Sequence, residues 1–352
     1  MNNILNEYFV YDIQTKKLTV LVNFNGEVSK NTLPEGVKIL YFEEKCHKVV
    51  KFSQPLDNLP NSIFKIYLPS DYNLPLNNLP NILKELDLGW WYNQTLDNLP
   101  FGITHLKFKS HGIFNQVLNN LPNSLLYLEL GDKFTHTIDN LPDSIEELVL
   151  GDNFNEVIKK LPKNIKILRL GRCFNQLLNN LPDTLTSLIL GSNYNRPIRS
   201  LPKFLKVLMT GWKFNQSVDY LPETLETLIV GDKFNQCIDF LPKDLKELKL
   251  GGEFDQTLDN LPEGLLFLTV RENFSHSLNN LPNSLISLNI RFLKNIIPID
   301  NLPANLEFLY LNKTYDRTIN NLPTSLKEIH VLKEQEKLIE KLPFGCKIVL
   351  YN

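Results

Sequence analysis

The dipeptide Leu-Pro recurs along this chain with a fixed spacing. It begins at Leu33, Leu59, Leu79, Leu99 and Leu121, and then every 20 residues from Leu141 to Leu281. Leu302, Leu322 and Leu342 complete the series. The spacing departs from 20 only at Leu33–Leu59, Leu99–Leu121 and Leu281–Leu302. A length of 352 residues alone points to about two globular domains. A period held over most of the chain points instead to a solenoid, in which each unit buries its apolar side against the next.

The unit reads most clearly in LPNSLLYLELGDKFTHTIDN, Leu121 to Asn140. With its Leu as position 1, apolar residues fill positions 1, 5, 8, 10, 14 and 18. Positions 7 to 10 alternate outward and inward, which predicts a short strand with one buried face. Position 14 is aromatic in nearly every copy, as at Tyr92, Phe134, Phe174 and Phe234, which predicts an internal column of rings packed offset or edge to face. Position 11 is Gly in eight copies, for a positive φ or a close backbone approach. Ser or Thr at position 4 and Asn before Leu-Pro read as local turn chemistry. Asn at position 15 reads as a ladder bonding turn backbone in successive coils.

Twenty residues leave no room for a strand, two turns and a full α-helix. The expected fold is therefore a leucine-rich-repeat-like solenoid, with one short parallel β-strand per repeat, an extended and 3₁₀ convex side, and little α-helix. The array is expected over residues 33–330. Residues 1–32 are expected to form a β-hairpin cap over the first open edge, and residues 331–352 a C-terminal cap that includes the last partial repeat. The extra residues in KFKSHGIF and RFLKNIIPID should bulge from the exit side of the strands.

The phrase Phe-Asn-Gln, followed after a fixed interval by Leu-Pro, stands at Phe114-Asn115-Gln116, Phe174-Asn175-Gln176, Phe214-Asn215-Gln216 and Phe234-Asn235-Gln236. This pattern resembles the FNIP repeat family, which is similar to leucine-rich repeats and is found in social amoebae and amoeba-infecting giant viruses. The resemblance implies a protein–protein interaction scaffold. It also implies an alternative, a substrate-recognition subunit of a ubiquitin-ligase-type complex, since some members carry an F-box; a structural protein is a further alternative.

No constellation of residues points to catalysis. The six histidines form no HExxH or Cys/His metal pattern, and no nucleophile elbow or phosphate loop occurs. Cys173 and Cys237 lie about three coils apart, beyond disulfide reach, and Cys346 falls on an inward position. The expectation is a non-enzymatic chain without a cofactor or metal. Lys and Arg number 37 against 39 Asp and Glu, a net charge of -2, which argues against nucleic acid as a partner. No apolar run is long enough to cross a bilayer. The N-terminus has no basic segment followed by an apolar one. The expectation is an intracellular, cytoplasmic monomer that binds an unidentified protein, a host protein among the candidates.

A partner would meet the strand face, at positions 7 and 9. From Val149 to Ile229 these positions turn apolar: Val149, Ile167, Ile189, Val207, Met209 and Ile229, with Trp212 at the rim. Two readings stand. Strands favour Val and Ile even where exposed, and a run of exposed apolar residues beside a Trp has the makeup of a binding hot spot.

Overall fold

The structure, a computed structural model, describes residues 2–43 and 52–351. Cys46 and His47 lie outside the described residues. The chain divides into two compact units, Met1–Phe174 and Asn175–Asn352.

The first unit holds β1 (Asn2–Asn6), β2 (Phe9–Asp12), β3 (Lys17–Val20), β4 (Ile39–Phe42), β5 (Lys65–Tyr67), β6 (Glu85–Leu88), β7 (His105–Phe108), β8 (Tyr127–Glu129), β9 (Glu147–Val149) and β10 (Ile167–Arg169). Strands β1, β2 and β3 pair antiparallel, and β3 to β10 pair in parallel, each with the next. The second unit holds β11 (Ser187–Ile189), β12 (Val207–Met209), β13 (Thr227–Ile229), β14 (Glu247–Lys249), β15 (Phe267–Glu272), β16 (Ser287–Leu293), β17 (Phe308–Tyr310), β18 (Glu328–Val331) and β19 (Lys347–Leu350). All of its neighbouring strands are parallel. Each unit is thus a β-solenoid with one strand per repeat. The 3₁₀ turn Lys333–Leu338 is the helical element among the described residues.

The register repeats the sequence period. Thr227, Leu228 and Ile229 face Glu247, Leu248 and Lys249, twenty residues on. The central Leu of each regular strand is fully buried while its neighbours are half-buried or, at Arg169 and Lys249, exposed. The six inward positions of the unit at Leu121 are all buried: Leu121, Leu125, Leu128, Leu130, Phe134 and Ile138. After most strands the carbonyl of position 11 accepts the position-14 amide, as in Phe234 N to Gly231 O at 3.1 Å. From Leu59-Pro60 onward, the proline carbonyl of each repeat accepts the position-5 amide, as in Leu225 N to Pro222 O at 3.0 Å. Proline, lacking an N–H, therefore opens a turn outside the sheet and breaks no ladder.

The rings at position 14 form stacks. In the first unit Tyr92, Phe114, Phe134, Phe154 and Phe174 follow one another with centroids 6.0–6.4 Å apart and planes 6–17° from parallel. In the second, Tyr194, Phe214, Phe234, Phe254 and Phe274 do the same at 6.1–6.4 Å and 2–19°. Near-parallel planes at that separation are the offset arrangement, which keeps the negative faces of the rings from overlapping. Phe52 stacks on Tyr72 at 6.1 Å, an earlier start than the periodic series showed. In the coil that starts at Leu322 the aromatic position is Gln335. It is buried, and its Nε2 donates to the carbonyls of Asn312 (2.8 Å) and Tyr315 (3.0 Å).

The position-11 glycines answer to close approach. None has a positive φ; among the described glycines that conformation occurs at Gly36 and Gly345. A Cβ on Gly231 would fall inside the carbonyl of Gly211, and one on Gly251 inside that of Gly231. Successive coils touch backbone to backbone there, and a side chain on either would force them apart.

Polar residues expected to serve local turns bond the neighbouring coil instead. The Ser144 hydroxyl donates to Leu125 O at 2.7 Å and that of Ser284 to Leu265 O at 2.7 Å. The Asn280 amide donates to Asp259 Oδ1 at 2.8 Å. These bonds satisfy backbone and side-chain groups that would otherwise be left along the seam between coils.

Candidate functional site

The recurring phrase Phe-Asn-Gln is built into the seam between coils. Asn215 Oδ1 accepts two bonds from the next coil, from Asn235 N and Gln236 Nε2, both at 2.9 Å. Asn235 Oδ1 accepts in turn from Asp255 N (2.9 Å) and Gln256 Nε2 (3.0 Å). Asp255 carries the ladder on to Ser275 N at 2.8 Å. The same bonds link Asn73, Asn93 and Asn115 in the first unit. The ladder there also has a rung the spacing did not reveal, Ser53 N to Asn25 Oδ1 at 2.8 Å. The ring fills the core, the Asn accepts, and the Gln donates, so the motif offers no free chemistry to a ligand.

The strand faces differ. In the first unit many of the outward residues are charged or aromatic, with Ile39, Val149 and Ile167 among them. Lys65 pairs with Glu85, Lys107 with Glu129 at 3.2 Å, and Arg169 with Glu147 at 3.2 Å. Tyr127 donates to Glu129 Oε2 at 2.7 Å, and burial with that bond raises its phenol pKa. Tyr41 and Tyr67 meet edge to face at 5.6 Å. A cavity of about 340 Å³ opens among Tyr41, Tyr67, Asp87, Lys107, Lys109 and Glu129. Burial pushes the Asp87 carboxyl above its ordinary range, against the pull of Lys65 and Lys107.

In the second unit the first strands are apolar outward. Ile189 faces Met209, and Met209 faces Ile229, on adjacent strands at position 9. Val207 stands at position 7 of the middle strand. All four are half-buried. Trp212 is exposed just past Gly211, and Lys233 Nζ lies 5.1 Å from its ring centroid. Val149 and Ile167, the other two residues of the expected patch, are half-buried on strands of the first unit. The structure thus brings five of the seven into one unit. Among the described residues no cluster of His, Cys, Asp or Glu is arranged to hold a metal. Cys173, Cys237 and Cys346 are free thiols, and burial raises the Cys346 pKa.

The extra residue expected to bulge from the strand exit in RFLKNIIPID lies within a strand instead, and sequence reasoning missed the side chains gathered around it at the far end of the second unit. Position 11 there is Arg271 and Arg291 in place of Gly. Arg271 Nη1 bonds Asp232 Oδ1 at 3.1 Å, and Phe292 stands exposed beside it. The sequence signals were these two arginines and the 21-residue spacing from Leu281 to Leu302.

No helix among the described residues is long and apolar enough to cross a membrane. No curated protein matches the chain. Among solved structures, the chain is similar to CroV588, a circular leucine-rich-repeat protein from a giant virus, at 29% identity and a TM-score of 0.78 over 98% of this chain. The chain spans 60% of the length of CroV588. It is also similar in fold to YopM from Yersinia enterocolitica, at 21% identity and a TM-score of 0.50, covering 91% of this chain and 84% of YopM. The fold is of the leucine-rich-repeat kind, a type typical of protein–protein interaction scaffolds. The FNIP Repeat family matches residues 92–133, 134–173, 156–193, 174–208 and 214–253. With their Phe-Asn rungs seated in the core, the coils of residues 92–253 carry FNIP repeats.

Proposed function

We propose that the chain is a non-enzymatic interaction scaffold that binds a protein partner on the strand face of its second unit. The observation that supports this most is the apolar row Ile189, Met209 and Ile229 on three adjacent strands, with Val207 beside it and Trp212 exposed at the rim. Elsewhere in the same unit the outward residues include Glu247, Lys249, Asn289 and Glu328, so β-propensity alone does not account for where the apolar run falls. An aromatic anchor beside aliphatic side chains is the composition of energetic centres in protein interfaces. In this reading the antiparallel strands of residues 1–32 and the segment 331–352 serve as end caps, and Val149 and Ile167 lie on strands of the first unit.

The test is a triple variant, Val207→Ser, Met209→Ser and Trp212→Ser, used as bait beside the unaltered chain in affinity purification with mass spectrometry. These residues are not in the buried column, so the variant should melt as the parent does. Loss of one reproducible set of captured proteins supports the reading. An unchanged set with an unchanged melt rejects it.

A further inference from the structure

Along the rim of the second unit, cations and rings alternate. Arg271 lies 5.5 Å from the centroid of the Phe292 ring, Arg291 lies 5.7 Å from the same ring, and Arg291 lies 4.1 Å from the ring of Tyr351. All three distances are within cation–π range. The arrangement follows from two local departures in sequence. First, Arg replaces Gly at position 11, so the backbone cannot close onto the preceding coil as it does at Gly231 and Gly251. Strands β15 and β16 accordingly run on to Glu272 and Leu293, six and seven residues long where most strands of the unit have three. Second, the one extra residue of this coil sits within the strand. Thr269 faces Asn289 but Arg271 faces Phe292, so Ile290 and Arg291 together oppose Val270. That is a β-bulge, a device that re-aims a side chain. Here it places Phe292 beside Arg271 and turns Arg291 onto Tyr351.

Tyr351 is itself held in place. Its N–H donates to Val331 O at 3.2 Å and its hydroxyl donates to Leu311 O. Burial pushes the phenol up to about 12, so the ring stays neutral.

The charges on this rim do not cancel. Arg271 is bonded to Asp232 Oδ1 at 3.1 Å and lies 3.7 Å from Glu272, and Lys294 lies 3.6 Å from Glu272. Arg291 has no carboxylate partner among the described residues, and its Nε is buried without a hydrogen bond. One guanidinium is therefore fixed in orientation by two rings, partly desolvated, and electrically uncompensated. Rings satisfy the faces of a guanidinium and leave the edge, with its N–H donors, for a ligand.

We propose that Arg291 receives a carboxylate from an acidic segment of a protein partner, with Phe292 and Tyr351 holding the guanidinium for a bidentate bond. This deepens the interaction reading by naming the chemistry of the partner, and it stands on residues outside the apolar row.

The experiment is fluorescence anisotropy of a fluorescein-labelled hexaglutamate peptide with the full chain at low salt. Binding is expected. Arg291→Gln should weaken it about tenfold, the loss of one charged hydrogen-bonded contact. Arg291→Lys, which keeps the charge but loses the fork, should fall between. Lys294→Gln on the same rim should change it by less than about twofold, as for an exposed ion pair. Equal losses for Lys294→Gln and Arg291→Gln would mean general surface charge and overturn the proposal. So would an unchanged Arg291→Gln affinity, or a chain that binds a phosphoserine hexapeptide and not hexaglutamate. Circular dichroism of each variant separates these outcomes from misfolding. Failure here leaves the apolar-row reading to its own triple variant, which should bind hexaglutamate as the parent does.

Discussion

Two stretches of the second unit show how one position changes a solenoid. From Gly211 to Gly251 the strand exit is glycine against glycine, each strand has three residues, and the Asn rungs bond the neighbouring coil. From Arg271 to Leu293 the exit carries an arginine, the strands double in length, and a bulge releases side chains onto the rim. The core beneath is the same in both: Phe234, Phe254 and Phe274 stack without a break. The difference teaches that the buried column sets the fold, while position 11 decides whether a coil is closed or offers its edge.

If that division is right, the largest loss should come from the shared column. Phe234→Ala should cost about 3–5 kcal/mol in denaturant unfolding, and a loss below about 1 kcal/mol would break the comparison at its base. Next comes the closed exit. Gly231→Ala should cost about 1–3 kcal/mol, because the Cβ meets backbone that cannot step aside. Arg271→Gly should cost less than Gly231→Ala, about 1 kcal/mol, as half-exposed ion pairs and one ring contact are lost while no backbone is forced apart. Equal effects at the two sites would show that position 11 has no such role.

The ladder should come third. Asn215→Ala leaves the Asn235 amide and the Gln236 side chain without their acceptor and should cost about 1–2 kcal/mol. Asn215→Asp should be nearly silent, since Asp255 already fills the same rung. The smallest effect concerns pH. Bonds from Cys237 and Asn260 hold the Asp239 carboxyl below its ordinary range, and Lys206 and Lys246 do so for Glu226. A lowered folded pKa contributes stability above the unfolded value that is lost as pH falls through the folded one. The unfolding midpoint should therefore decline slightly below about pH 4, and Cys237→Ala should remove part of that decline.

The fold was legible because burial repeats. Leu125, Leu128, Leu130 and Phe134 mark the inward phase, and each of them is buried. The bonding partners were harder to read. A Ser four residues into a turn looks the same whether it bonds its own turn or, as Ser144 does, a carbonyl 19 residues back. The rung from Asn25 to Ser53 spans 28 residues, outside the period, and Asn2–Asn6 lacks the alternation that announces a strand. The outward residues were legible as a list but not as a surface, because nothing in the period constrains them. The rim from Arg271 to Tyr351 was the least visible, since a single added residue in a strand leaves the same trace in sequence as one in a loop.

The Asn rungs also have a direction. Each coil lends an acceptor to its successor and takes one from its predecessor, so its two sides are complementary to each other. A tandem copy of residues 221–240 would meet on both flanks the surfaces those flanks already recognise. Length in such an array can grow by whole turns, with no new chemistry invented at the join.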